Sequence, residues 1–206
     1  MKRLITTSRR SLIGLAALGT AGLMLAGVVP AQAAAPARVV AASNSQALAF
    51  GTRTFGCHPE YGCHASAVLP KSWRYTRLGN GEGRFSDRAV PRMIRIDTEL
   101  ATHPGTATAA LRKQQALKGT RGLKILGLQN GTMKSTTGQG PLRVSTLVYT
   151  YRSGSTTRWV ATRYVGFSGN KTADAEITVG GRLQDRVLLG TVLTKATQSL
   201  AKWCGC

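Results

Sequence analysis

The sequence predicts an α+β domain, an antiparallel sheet of about six to seven strands packed by two helices. Three observations carry this. Several short segments alternate apolar and polar residues with period two, as half-buried strands do. Only two stretches, one after Pro104 and one after Gly181, space their apolar residues as helices do. The strands also come in runs joined by short turns, which favours an antiparallel sheet over a doubly wound parallel one.

Taken in order, Trp73-Arg74-Tyr75 and Arg84-Phe85 read as short strands separated by the turn-forming Gly79-Asn80-Gly81. Met93-Ile94-Arg95-Ile96-Asp97 alternates strictly and reads as a third strand. Pro104 then opens a helix holding Ala109, Ala110, Leu111, Ala116 and Leu117, which stops near Gly119. Its apolar face is modest, which suits a helix lying on a sheet. Leu123 to Leu128 reads as a strand and Asn130-Gly131 as a turn.

The longest β signal runs from Leu142 to Tyr151 and returns across Gly154 from Arg158 to Phe167. In this hairpin Leu147, Tyr149 and Tyr151 are expected on one face, with Trp159, Ala161, Val165 and Phe167 facing them. A last strand is expected near Glu176-Ile177-Thr178-Val179. After Gly180-Gly181 the period becomes helical, with Leu183, Val187, Leu193, Ala196 and Leu200 in phase.

Ahead of this domain, Lys2, Arg3, Arg9 and Arg10 precede a charge-free apolar run from Leu12 to Val29. Ala31-Gln32-Ala33 supplies the small residues a signal peptidase needs, so residues 1–33 read as a secretion signal. Ser8-Arg9-Arg10-Ser11-Leu12 also resembles the twin-arginine export motif, and an ordinary Sec signal fits the same residues. The run is short for a membrane span, and a retained anchor is the alternative to cleavage. With no cysteine at the end of the signal, a lipoprotein anchor is excluded. Residues 34–56, rich in Ala, Ser and Thr, read as a flexible leader, and residues 57–206 as one domain. No transmembrane span is expected after signal cleavage.

The chain carries 28 basic and 8 acidic residues, a net +20. The 33-residue signal holds four of the basic and none of the acidic ones, leaving +16 on the exported part. Such a charge attracts polyanions, and outside a bacterium these are wall polymers and lipid headgroups. The basic residues are scattered and bring no zinc-finger, helix-turn-helix or RNA-recognition signature, so nucleic acid is disfavoured as a partner.

Leu69-Pro70-Lys71-Ser72-Trp73, Phe85-Ser86-Asp87, Ile94-Arg95-Ile96-Asp97, Leu147-Val148-Tyr149-Thr150-Tyr151 and the closing helix after Gly181 resemble the PsbP-like α/β family. Within it the likeness is to LpqN-like secreted actinobacterial domains, over about residues 69–201. Ser72 stands where relatives usually have Gly, and a Trp common at the start of the fifth strand is missing around Gly140-Pro141-Leu142. The resemblance implies an α/β/α sandwich and a binding or accessory module, and it brings no catalytic residues.

Cys57, Cys63, Cys204 and Cys206 are the only cysteines. An even set in an exported chain reads first as disulfides. A Cys204–Cys206 bond would close a strained ring around one Gly, which favours the two pairings that join an N-terminal to a C-terminal cysteine. A second reading is a metal site from Cys57, His58, Cys63, His64, Cys204 and Cys206, because thiolate and imidazole suit zinc or copper. A third is thiol redox chemistry at Trp203-Cys204-Gly205-Cys206, which lacks a residue between the cysteines and the helix N-terminus that activates one.

Other chemistry is thinner. His103 reads as a loop residue, Asp87, Asp97 and Glu99 as surface charges, and Gly79 to Gly83 as a turn rather than a phosphate cradle. Asn130-Gly131-Thr132 and Asn170-Lys171-Thr172 fit glycosylation sequons, which mean little behind a bacterial-type signal. The expected function is that of a secreted, non-enzymatic accessory or binding domain without a cofactor. It would act at the cell envelope or on another exported protein, with a protein or an anionic envelope polymer as partner. The alternative is a secreted metal-binding or thiol-redox protein using the Cys/His cluster.

Overall fold

A computed structural model of the chain describes residues 48–56 and 64–203. The signal at 1–33, most of the leader, and the candidates Cys57, His58, Cys63, Cys204 and Cys206 lie outside the described residues.

Ten strands and two helices are present among the described residues. The strands are β1 (Phe50–Phe55), β2 (His64–Pro70), β3 (Arg74–Gly79), β4 (Glu82–Ser86) and β5 (Met93–Asp97). Helix α1 (Thr106–Ala116) follows, then β6 (Lys124–Lys134), β7 (Pro141–Ser153), β8 (Thr156–Gly166) and β9 (Ala175–Arg182). Helix α2 (Arg186–Ser199) and β10 (Ala201–Trp203) complete the described fold. Seven strands form one sheet in the order β3-β4-β5-β9-β8-β7-β6. All its neighbours are antiparallel. The α+β class and the seven-stranded antiparallel sheet with two helices are as the sequence predicts.

The second sheet, β1-β2-β10, was not expected. Residues 50–55, placed in a flexible leader by composition, pair with β2 from Phe50↔Pro70 to Phe55↔Ala65. Small side chains did not prevent order here, because β2 presents a complete backbone edge and Phe55 reaches the core. The segment enters the main sheet's packing through Phe55, whose ring meets Phe85 edge-on at 5.9 Å.

Strand parity divides the main sheet into two faces. Phe85, Ile94, Ile96, Leu142, Val165, Ile177 and Val179 point to one face and join the large core under α2 and the small sheet. From α2, Leu189, Val192, Leu193 and Ala196 enter the same core. On the other face, α1 sets Ala109 and Ala110 against Tyr164, and the segment after it sets Leu117 and Leu123 near Leu147, Tyr149 and Val160. Helices thus cover both faces.

Several sequence expectations need correction. Trp159, Ala161 and Val165 do not face Tyr149. The two-residue turn at Gly154-Ser155 pairs Ser153 with Thr156, so odd positions of β7 meet even positions of β8. Val160 therefore stands opposite Tyr149, and Trp159 lies on the opposite face. Asn130-Gly131 is no turn, since β6 passes straight through it, paired with Ser145 and Val144. The helical period does begin after Gly180-Gly181, though the last strand runs further than expected. Both glycines lie in β9, and a Cβ on Gly181 would come within 2.7 Å of Leu189 Cδ1, so its bareness is what lets α2 seat. Of the residues expected in phase on the last helix, Leu193, Ala196 and Leu200 are buried as expected, whereas Val187 is 75% exposed and Leu183, which precedes α2, is 43% exposed.

Candidate functional site

The inward row of β8 reads Trp159, Ala161, Arg163, Val165, so a guanidinium interrupts an otherwise apolar face. Arg163 Nε donates to Thr146 Oγ1 at 2.9 Å. Its Nη1 donates to Thr197 Oγ1 at 3.1 Å and to Met133 Sδ at 3.2 Å. All three acceptors are neutral. Among the described residues no carboxylate pairs with Arg163, and Nη2 has no hydrogen-bond partner. Burial pulls the guanidinium down to about 10, because removing a cation from water without a counter-ion disfavours its charged form.

Beside Arg163 lies a cleft of about 610 Å³ between α2 and strands β6 to β8. Its floor is Val148, Trp159, Ala161 and Arg163 from the sheet, and its helix wall includes Val187, Gly190 and Thr194. Gly190 is the unusual wall residue. Glycine inside a helix costs about 0.5–1 kcal/mol relative to Ala. A Cβ added there would meet nothing within 4 Å, so packing does not call for it. What the bare position does is leave space open over the floor.

The helix is tied to the sheet at its far end. Thr136 N and Oγ1 both donate to Gln198 O, and Thr137 Oγ1 donates to Leu200 O, satisfying carbonyls that a helix end leaves open. Thr197 Oγ1 donates to Leu193 O while accepting from Arg163, so the guanidinium is held to α2 as well as to β7.

The other face carries a polar cluster of a different kind. Glu176 accepts from Tyr164 Oη at 2.8 Å and from Lys113 Nζ at 3.1 Å. Thr178 Oγ1 also donates to it, and Arg95 is 3.9 Å away. Burial works to raise the Glu176 carboxyl, but Lys113 and these hydrogen bonds hold it below its usual value. Arg95 also pairs with Glu82 and Asp97, and Arg92 with Asp87 and Asp185. These charges have partners, as a structural network should.

The residues singled out from sequence fall elsewhere. His64 opens β2 and stands across from Trp203 of β10. The cysteines and His58 lie outside the described residues, and among those described no group of three or more His, Cys, Asp or Glu could hold a metal. His103 lies in the loop before α1, its Nδ1 3.4 Å from Ala173 O. Asp87, Asp97 and Arg95 belong to the ion-pair network, and Glu99 N donates to Asp97 Oδ1. Gly79 to Gly83 does form the β3–β4 turn. Arg163 was missed, although the break it makes in the apolar row was visible in sequence.

No family model and no curated protein matches the sequence. Solved structures give likenesses of fold. The chain is similar to LpqN. That Mycobacterium tuberculosis protein, involved in cell envelope biogenesis, shares 13% identity over 74% of this chain and 91% of its own, with a TM-score of 0.47. The Saccharomyces cerevisiae Ran-binding protein Mog1p shares 9% over 74% of this chain and 96% of its own, also at 0.47. A Pseudomonas aeruginosa protein of unknown function, PA94, shares 12% over 77% and 86%, at 0.37. No helix among the described residues is long and apolar enough to cross a membrane.

Proposed function

We propose that this chain is an exported, non-enzymatic binding domain of the PsbP-like kind that works at the cell envelope through the cleft under α2. The export signal at residues 1–33 and the resemblance carried by Leu69 to Trp73 and Ile94 to Asp97 support the setting. The observation that carries the binding role is Gly190. It is a helix-interior glycine without a packing reason, and it lines a cleft whose volume lies within the roughly 300–1,000 Å³ typical of ligand sites.

The test is native mass spectrometry of the protein recovered from the medium or envelope of a producing actinobacterial cell. The expected species lacks residues 1–33 and retains a small molecule that a Gly190→Leu variant loses. A cytosolic species with residues 1–33 intact, or identical spectra for wild type and variant, overturns the proposal.

A further inference from the structure

We infer that the α2 cleft takes an amphiphilic anion, its carboxylate or phosphate held on Arg163 and its hydrocarbon laid along Trp159, Val148 and Val187. This rests on reading the cleft as a binding site, and it names the ligand class.

Three observations lead there. First, Arg163 is a half-buried cation whose hydrogen bonds all go to neutral acceptors, while Nη2 keeps two N–H donors at the edge of the cleft. A charge taken out of water is expensive unless it is paired, and a bound anion would supply the missing partner. A guanidinium is suited to this role because its donors are planar and it cannot shed its charge near neutral pH.

Second, five of the seven described carboxylates are paired with other cations. Asp87 and Asp185 lie against Arg92, Glu82 and Asp97 against Arg95, and Glu176 against Lys113. Among the described residues no acidic side chain lines the cleft, whereas Arg163 and Lys195 do, a charge balance that favours an anion.

Third, the remaining lining is apolar beside a few polar groups. Val148, Trp159, Ala161 and Leu193 give a hydrocarbon surface, and Val187, 75% exposed, extends it at the rim. An inorganic anion would leave that surface wet. An anion with an alkyl chain covers it and gains the free energy of apolar burial. Gly190 supplies the room, since nothing lies within 4 Å of where its Cβ would be.

The experiment titrates the full exported chain with dodecanoate, dodecyl phosphate and dodecanol, all below their aggregation limits. Tryptophan fluorescence reports binding, and a Trp159→Phe variant assigns the signal. Wild type is expected to bind both anions at least tenfold more tightly than the alcohol, and the order of the two anions tells a fatty carboxylate from a lipid phosphate. Arg163→Met is expected to bring the anions down to the affinity of the alcohol. Gly190→Leu, which keeps every charge, is expected to lose all three.

Dodecanol binding within twofold of the anions in wild type overturns the anion assignment and leaves the binding cleft standing. That comparison needs no variant, so it holds even if Arg163→Met does not fold. Anion binding that survives Gly190→Leu and fades at high salt means capture by surface charge, and overturns the assignment too. Failure of all three probes overturns the amphiphile, while the retained molecule in the native mass spectrum judges the cleft separately.

Discussion

Trp203 stands directly opposite His64, the last described pair of the antiparallel β2–β10 ladder. Cys63 immediately precedes one of these residues in the chain and Cys204 immediately follows the other. The cysteines lie outside the described residues, but the strands they adjoin are neighbours in the sheet. We therefore expect peptide mapping of the unreduced protein to join a peptide holding Cys57 or Cys63 to one holding Cys204 or Cys206. Such a bond closes nearly the whole domain into one loop, and chain entropy sets its contribution at about 4–5 kcal/mol as an upper figure. Formation requires an external thiol oxidant, a disulfide that accepts the two electrons as two thiols lose their protons. Four thiols open to alkylation without reductant would sink the pairing, and bound metal in the purified protein would revive the Cys/His site.

Two glycines should respond to alanine in opposite directions. Gly56 has φ +63°, and an added Cβ would come within 2.6 Å of Gly81 Cα, a backbone atom that cannot step aside. Gly56→Ala should cost about 1–2 kcal/mol from the left-handed backbone alone, before the contact is counted. Gly190→Ala should instead stabilise by about 0.5–1 kcal/mol, because the helix gains and nothing is displaced. Urea unfolding of the two variants settles both, and a Gly190→Ala protein less stable than wild type would contradict the open cleft.

Acid should weaken the fold partly through Glu176. Its carboxyl is held below the usual 4.5, although burial opposes this, by Lys113, Tyr164 and Thr178. A depressed carboxylate stabilises fully above its unfolded value and loses that contribution as pH falls through the folded one. The stability of wild type should therefore drop below about pH 4.5, and a Glu176→Gln variant should drop less over the same window. Asp87, also held low, adds to the fall, whereas Asp97, which burial raises, works against it. Parallel pH–stability curves for wild type and Glu176→Gln would remove Glu176 from the account.

The join between the two sheets should be sensitive to Phe85. It is fully buried and touches Phe55 of the small sheet and Tyr75 of the large one. Phe85→Ala should cost about 3–5 kcal/mol through lost burial and the cavity left behind. Calorimetry would show this as a lower Tm, and a change under 1 kcal/mol would mean that the small sheet packs independently.

Much of the large sheet was legible along the chain. Met93 to Asp97 and Leu142 to Tyr151 are local patterns, and a strand's period of two is written in consecutive residues. The facing of the hairpin was not legible, because one residue in the turn reverses every cross-strand partner. The small sheet escaped for another reason. β1 and β2 follow one another but are poor in large apolar residues, and β10, only three residues long, pairs with β2 from the other end of the domain. No local period marks a strand whose order comes from a partner far along the chain. The site shows the same division. Arg163 breaks an apolar row that anyone could read, yet nothing in the sequence tells whether a carboxylate will fold against it.

By itself, then, the sequence determined the α+β class, most strands of the main sheet and the two helices, since each is a matter of composition or short-range period. Only the tertiary structure decided that residues 50–55 join a second sheet, that α2 turns Val187 outward and Gly190 over a cleft, and that Arg163 lies beneath it without a counter-ion among the described residues. Those are outcomes of which surfaces meet. Pairing, burial and the lack of a charge partner are properties of neighbours in space, and spacing along the chain does not encode them one residue at a time.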